Sequence, residues 1–104
     1  MASIRVCPVE ELPPGTMRLV PAGQISVGVY NVNGELCAIE DRCSHDDGPL
    51  VEGEWEPDRG IVVCPRHGAT FDICSGRALT LPAYLPVDTF PVRVEDGVVW
   101  VDVA

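Results

Sequence analysis

Residues 25 to 40 read Ile-Ser-Val-Gly-Val-Tyr-Asn-Val-Asn-Gly-Glu-Leu-Cys-Ala-Ile-Glu, two apolar β-type runs on either side of Asn33-Gly34. The Asn-Gly pair favours the two-residue turn of a tight hairpin, because both residues accept positive φ angles. A second such pair, Asp96-Gly97, separates residues 90–94 from residues 98–101. The sequence therefore predicts two antiparallel β-hairpins.

Further short β-type segments fill most of the chain, which also contains 10 Gly and 10 Pro. This composition suits short strands and tight turns rather than long helices, and the pattern predicts an all-β antiparallel fold. A single helical turn is expected at residues 9–12, where Pro13 would end it. The eight predicted strands are 3–6, 17–20, 25–32, 36–40, 60–63, 70–73, 89–94 and 98–103.

Length and charge limit the function classes. A chain of 104 residues fits one domain, 1–104, with no room for a second catalytic one. The net charge of -9 excludes nucleic acid as the main ligand and favours basic protein partners. We find neither the ~20-residue apolar run of a membrane span nor the apolar core of a signal peptide. We therefore expect a soluble, cytoplasmic protein that does not enter membranes.

Two short polar loops hold both histidines of the chain, in Cys43-Ser-His45 and Cys64-Pro-Arg-His67. Two thiolates and two imidazoles suit either a tetrahedral zinc ion or a [2Fe–2S] cluster in which two His replace two Cys on one iron. Zinc sites commonly contain Cys pairs two to four residues apart, and this chain has no such pair. The spacing favours the cluster, and a zinc-stabilised interaction module remains the alternative.

These two segments resemble the cluster loops of Rieske ferredoxins and Rieske domains, Cys-x-His followed by Cys-x-x-His. The resemblance covers about residues 36–85 and includes Ser75-Gly76 and the Leu-Pro-Ala run that begins at residue 81. It implies a Rieske-type antiparallel β-sandwich or barrel, with a small inserted cluster-binding subdomain of two loops at about 41–83. It also implies that Cys43 and Cys64 bind one iron and that His45 and His67 bind the other.

The resemblance further implies a one-electron carrier and not an enzyme. Its electron donor would be a flavin-containing or ferredoxin reductase and its acceptor a terminal oxygenase or other redox enzyme, docked through a basic patch. A small subunit of a nitrite reductase and an accessory ferredoxin of iron–sulfur assembly remain open. A mononuclear iron oxygenase needs two more His and a carboxylate, and both histidines here belong to the predicted cluster.

Four positions depart from high-potential members of the family. Gly48 and Arg66 stand where those members carry a disulfide beside the cluster, and Ala69 and Phe71 stand where they carry Ser and Tyr. Hydroxyl groups that donate to cluster sulfur stabilise the reduced state. We therefore expect a protein of the type without the cluster-side disulfide, at the low end of the Rieske range, about -150 mV.

The remaining cysteines, Cys7, Cys37 and Cys74, lie in or beside predicted strands, where a free Cys behaves as a small apolar side chain. We predict that all three are structural. Asp46 and Asp47 follow His45 and either influence the cluster and its partner or form a solvated turn. Arg66 is either a docking contact or a solvated loop tip.

Overall fold

The computed structural model describes residues 2–42, 50, 53–65, 68–81 and 85–103. Ten short strands and one turn of 3-10 helix make up its regular structure within those ranges. In chain order they are β1 (Ala2–Pro8), the 3-10 turn (Val9–Glu11), β2 (Met17–Ala22), β3 (Ile25–Val32), β4 (Glu35–Glu40), β5 (Trp55–Glu56), β6 (Ile61–Val63), β7 (Thr70–Asp72), β8 (Thr89–Phe90), β9 (Val92–Glu95) and β10 (Val98–Val103).

The strands form three antiparallel sheets. The terminal sheet has the order β1-β10-β9, the central sheet β2-β3-β4-β8, and the small sheet β5-β6-β7. The all-β antiparallel prediction is confirmed. No helix in the described part of the chain is long and apolar enough to cross a membrane.

The β3–β4 hairpin is buried on both faces because alternate residues of a strand point to opposite sides of the sheet. Val27, Val29 and Ala38 face the terminal sheet, whereas Tyr30 and Ile39 belong to the other face. The hairpin therefore separates two hydrophobic clusters, which we call the terminal core and the site core.

The terminal core comprises Val6, Cys7, Leu12, Val20, Val27, Val29, Ala38, Val99, Val101 and Val103. The site core comprises Tyr30, Cys37, Ile39, Leu50, Val62, Cys64, Ala69, Phe71, Ile73 and Val87.

Both predicted hairpin turns form. Asn33 and Gly34 have φ angles of 56° and 100°, and Asp96 and Gly97 have 51° and 75°. These left-handed conformations are the ones that a two-residue turn requires, and Asn, Asp and Gly adopt them most readily. The register follows, with Val32 opposite Glu35 and Glu95 opposite Val98.

Two strand predictions need correction. Residues 89–94 form two strands, since Pro91 has no N–H to continue a ladder: Thr89–Phe90 pairs with β4, whereas Val92–Glu95 pairs with β10. Pro91 thus carries the chain from the central sheet to the terminal sheet. In addition, β5 was not predicted, because two residues are too few to show a strand pattern.

Candidate metal centre

Cys64 is the predicted ligand that the structure describes, and it is fully buried in the site core. It directly follows β6 and takes part in no disulfide. Its backbone N–H donates to the carbonyl of Ala69 at 2.7 Å, and the N–H of Gly68 donates to the Cys64 carbonyl at 3.0 Å. These bonds close a tight loop between β6 and β7. They fix the Cys64 backbone at the base of that loop.

Asp41 fixes the base of the first predicted loop. Its backbone N–H donates to the Ser26 carbonyl at 2.8 Å, and its carboxylate oxygen accepts from the Leu50 N–H at 2.7 Å. A hydrogen bond from an amide to a carboxylate is charge-assisted and strong. The two ends of the segment that contains Cys43 and His45 are therefore held together. Leu50 is fully buried in the same core as Cys64, so the bases of both loops share one apolar support.

Gly53 brings the returning chain against the strand that leads to Cys64. A Cβ atom at this position would lie within bonding range of the Val63 carbonyl oxygen, so no other residue fits there without backbone movement. The Val63 N–H donates to the backbone carbonyl of Glu54 at 2.8 Å. Sequence reasoning missed both Asp41 and Gly53. An Asp at the start of a polar loop was the only local signal for the first, and close approach of two backbones leaves no local signal at all.

The environment of Cys64 is apolar at the two positions singled out in the sequence. Ala69 and Phe71 are both fully buried in the site core and carry no hydroxyl group. The absence of these two donors agrees with the low-potential prediction, which stays a prediction.

Tyr30 places a phenol in the same core. It is 1% exposed and packs edge-on against Trp55, with ring centroids 4.9 Å apart. Within the described ranges its hydroxyl has no hydrogen-bond partner. Burial and, to a smaller extent, the Asp41 carboxylate raise the pKa of this phenol well above its usual value. The hydroxyl therefore stays neutral and protonated at ordinary pH.

Residues 78–81 run along the start of β7, next to the Cys64 loop. Leu79 N–H donates to Thr70 O at 2.8 Å, and the Thr70 N–H donates to the Thr80 hydroxyl at 3.0 Å. Leu81, the next residue, is 78% exposed, and Leu85 is 58% exposed. Leu81 therefore exposes an apolar side chain beside the second loop. The proline-rich loop predicted after Leu81 falls largely on residues 82–84, outside the described ranges.

The prediction that Cys37 and Cys74 are free apolar side chains is wrong. Cys37 of β4 is bonded to Cys74 in the turn after β7, with the Cα atoms 5.0 Å apart. The sequence predicts two separate apolar side chains, because no local pattern reveals that β4 and the turn after β7 lie against each other. Cys7, in contrast, is a buried free cysteine of the terminal core, as predicted.

Three of the four predicted ligands, Cys43, His45 and His67, lie outside the described residues. Asp46, Asp47, Gly48 and Arg66 lie outside them as well. The assignment of the ligand set and the roles of these four neighbours therefore remain predictions.

Comparison with known proteins places the chain in a family. The family described as "Rieske [2Fe-2S] domain" matches residues 2–91. The 3-phenylpropionate/cinnamic acid dioxygenase ferredoxin subunit of Escherichia coli (strain K12) is 41% identical over 102 residues, which are 98% of this chain and 94% of the relative. The corresponding subunit of Photorhabdus laumondii is also 41% identical, over 104 residues covering 100% of this chain and 97% of the relative.

Solved structures agree with these relatives. The chain is similar to the Sphingomonas yanoikuyae B1 ferredoxin, with a TM-score of 0.86 and 34% identity over 99% of this chain and 100% of that one. It is similar to a chain of the complex of reduced oxygenase and oxidized ferredoxin in carbazole 1,9a-dioxygenase, with a TM-score of 0.88 and 34% identity over 95% and 91% of the two chains.

The donor chemistry fits the [2Fe–2S] cluster that this family carries. Cys64 provides an unbonded thiol at the rigid base of a loop, in an apolar setting that excludes water. Such a setting, together with hydrogen bonds and ligand identity, is what tunes the potential of an iron–sulfur centre. The chain is therefore an electron carrier, and it belongs to the Rieske [2Fe–2S] domain family.

Proposed function

We propose that the chain passes single electrons from a flavin-containing or ferredoxin reductase to the terminal oxygenase of a dioxygenase system. The observation that carries this proposal is the 41% identity to dioxygenase ferredoxin subunits, which extends over nearly the whole of both chains. None of the relatives described above is a nitrite reductase subunit or an assembly ferredoxin. The dioxygenase role is therefore preferred over those two.

In this proposal Cys43 and Cys64 would hold one iron of the cluster, and His45 and His67 would hold the other. The bound cluster supplies the one-electron chemistry. The protein's contribution is to hold the two loop bases rigidly, through Asp41 on the first and the Cys64 turn on the second. The domain would span 1–104, with its cluster-binding subdomain at about 41–83; the small sheet, residues 55–72, falls within that range.

The ligand set is tested by replacing Cys64 and comparing it with a cysteine of equal burial. Cys64→Ser should yield a colourless protein without bound iron and sulfide, whereas Cys7→Ser should keep both. Iron and acid-labile sulfide analysis, with the visible and electron paramagnetic resonance spectra, measures the outcome. A Cys64→Ser protein with a full iron content and an unchanged spectrum would contradict the assignment. A bound zinc ion in the wild type would favour the interaction module.

The terminal oxygenase is proposed to dock on the exposed apolar surface of Leu81 and Leu85, the leucine patch. Exposed apolar side chains of this size beside a redox centre are typical of interaction sites. The net charge of -9 would add attraction toward a basic patch on the oxygenase or the reductase. We also propose that this exchange takes place in the cytoplasm.

Docking is tested with the double variant Leu81→Ser/Leu85→Ser. We expect a higher ferredoxin KM in oxygenase-coupled turnover, with the visible spectrum of the ferredoxin unchanged. Leu19→Ser is the matched control, because Leu19 is 45% exposed on β2 of the central sheet. Equal KM values for the two variants would exclude the leucine patch as the docking surface. Faster transfer at low ionic strength would support the basic partner patch.

A further inference from the structure

The Cys37–Cys74 bond lies outside both predicted cluster loops and has no part in the proposed electron transfer. It connects β4 of the central sheet to the end of the small sheet, and its sequence separation is 37 residues. All four predicted ligands lie between the two cysteines. The bond therefore closes a covalent ring around the segment that is expected to hold the cluster.

The two sulfur atoms differ in access. Cys37 is 8% exposed and belongs to the site core, whereas Cys74 is only partly buried. A cavity of about 450 Å³ opens beside them, lined by residues 35–38, Cys74 and residues 89–92. Both cysteines line this cavity, and Cys74 is the more exposed residue of the two. Cys74 is therefore the sulfur open to attack, and Cys37 is the leaving sulfur.

Glu35 places a negative charge at this point. A carboxylate oxygen of this exposed residue and both Sγ atoms lie within 4.8 Å of one another. Thiol–disulfide exchange proceeds through an attacking thiolate and releases a second thiolate. The Glu35 charge opposes both the approach of the attacking thiolate and the release of the second thiolate, because like charges repel at short range. The effect is strongest for reagents that carry further negative charge.

We propose that Cys37–Cys74 is a thiol–disulfide exchange site at which Glu35 selects the reacting thiol by charge, favouring cationic and neutral thiols over anionic ones. The incoming thiolate forms a bond to Cys74 Sγ, the Cys37–Cys74 bond breaks, and Cys37 leaves as a thiolate that takes a proton from water. A second thiolate then attacks the sulfur of the first thiol, which breaks its bond to Cys74 and forms the disulfide of the two reagents, and Cys74 leaves as a thiolate that takes a proton from water. Two electrons pass from the two thiols to the cystine, which becomes two cysteines.

Such selectivity would slow attack by an anionic thiol such as glutathione relative to attack by a neutral or cationic thiol. Cytosolic disulfides are uncommon because small thiols reduce them. A carboxylate at the point of attack slows that reaction, while a protein thiol in a basic setting would still reach the bond. This inference does not depend on the identity of the electron donor or acceptor.

The test follows the opening of the bond in the oxidised holoprotein. Cysteamine, 2-mercaptoethanol and glutathione are compared at equal thiolate concentration, the reaction is quenched by alkylation, and modified Cys37 and Cys74 are counted by mass spectrometry. Because thiolate nucleophilicity also changes with the pKa of the thiol, the rate of each reagent with Glu35→Gln is divided by its rate with the wild type, and this ratio should be largest for glutathione and smallest for cysteamine. Glu35→Gln should accelerate the mercaptoethanol reaction about fourfold, the effect of one charge about 5 Å from the attacking sulfur in water.

Glu10→Gln is the matched control, since it removes one exposed acidic charge from the 3-10 turn, remote in sequence from the disulfide. It should leave all three rates nearly unchanged. Added salt should reduce the effect of reagent charge on the three rates in the wild type, which tests the Glu35 charge without any substitution. Rates that do not depend on reagent charge, on salt and on Glu35 would overturn the proposal. Isolation of the aerobic protein without a Cys37–Cys74 linked peptide would overturn it too.

Discussion

The terminal core and the site core pack on opposite faces of the β3–β4 hairpin, and they differ in the chemistry of the side chains that they contain. The terminal core is aliphatic apart from one free cysteine, Cys7. The site core contains a predicted metal ligand, one half of a disulfide and a phenol, in Cys64, Cys37 and Tyr30. Alternation along one hairpin thus separates a core that only stabilises the fold from one that carries its chemistry.

The largest expected difference between the two cores concerns their cysteines. Cys37→Ala/Cys74→Ala should cost about 4 kcal/mol, because the bond closes a loop of 37 residues and restricts the unfolded chain. The thermal midpoint, measured by calorimetry on oxidised protein, should fall by about 15 °C or more. Cys7→Ala, in the terminal core, should cost about 1 kcal/mol, as expected for a small buried side chain. Similar thermal midpoints for Cys37→Ala/Cys74→Ala and Cys7→Ala would contradict the expected difference between the two cores.

Gly53→Ala should be the next most harmful change, at about 3 kcal/mol, since an added methyl group collides with backbone at Val63 and not with a yielding side chain. We also expect a lower cluster content, because Val63 precedes Cys64. Iron analysis and thermal unfolding measure both effects. Gly23→Asn is the control: it lies in a turn with φ 69° and open space around it, and Asn tolerates this conformation. Full iron content in Gly53→Ala would show that the backbone yields at little cost.

Phe71→Tyr should raise the reduction potential by about 40–60 mV if its new hydroxyl donates to the cluster, the equivalent of one hydrogen bond. The wild type should lie near about -150 mV by protein-film voltammetry. Phe90→Tyr adds the same group to a residue packed against the terminal core and should leave the potential unchanged. A wild-type potential above zero would contradict the role assigned to the missing hydroxyls.

Tyr30→Phe should have the smallest effect at neutral pH, a change of at most about 1 kcal/mol, because the described residues offer its hydroxyl no partner to lose. Its effect should appear in alkali. Burial raises the phenol pKa in the folded state, so the unfolded chain ionises first, above pH about 10. Wild-type stability should therefore fall as pH rises past that point, and the variant should fall less.

Urea unfolding at pH 8 and pH 10.5 makes this comparison. A loss of more than about 1 kcal/mol at pH 8 would show that the hydroxyl has an acceptor outside the described residues. If the free energy of unfolding fell equally between pH 8 and pH 10.5 in the wild type and in Tyr30→Phe, the role assigned to burial of the phenol would be contradicted.

The local sequence predicted most of the fold. Asn33-Gly34 and Asp96-Gly97 specify their turns by the φ angles that they accept, and short β-type runs located seven of the ten strands in the described residues, with small errors at their ends. The predicted strand 89–94 ran through Pro91, and only the pairing showed that the ladder breaks there and that the chain moves between sheets. Two-residue strands such as β5 carry too little pattern to be recognised.

The Cys-x-His and Cys-x-x-His segments at residues 43–45 and 64–67, together with Ser75-Gly76 and the Leu-Pro-Ala run, were enough to predict the family, because such motifs are local in the sequence. The Cys37–Cys74 bond, the Glu35 carboxylate beside it, the Asp41 clamp on Leu50 and the contact of Gly53 with Val63 were decided only in the tertiary structure. Each of these joins residues brought together by strand pairing or by the packing of one sheet on another. Hydrophobic burial drives that packing and depends on area rather than on sequence neighbours, so no local pattern reveals which residues will meet.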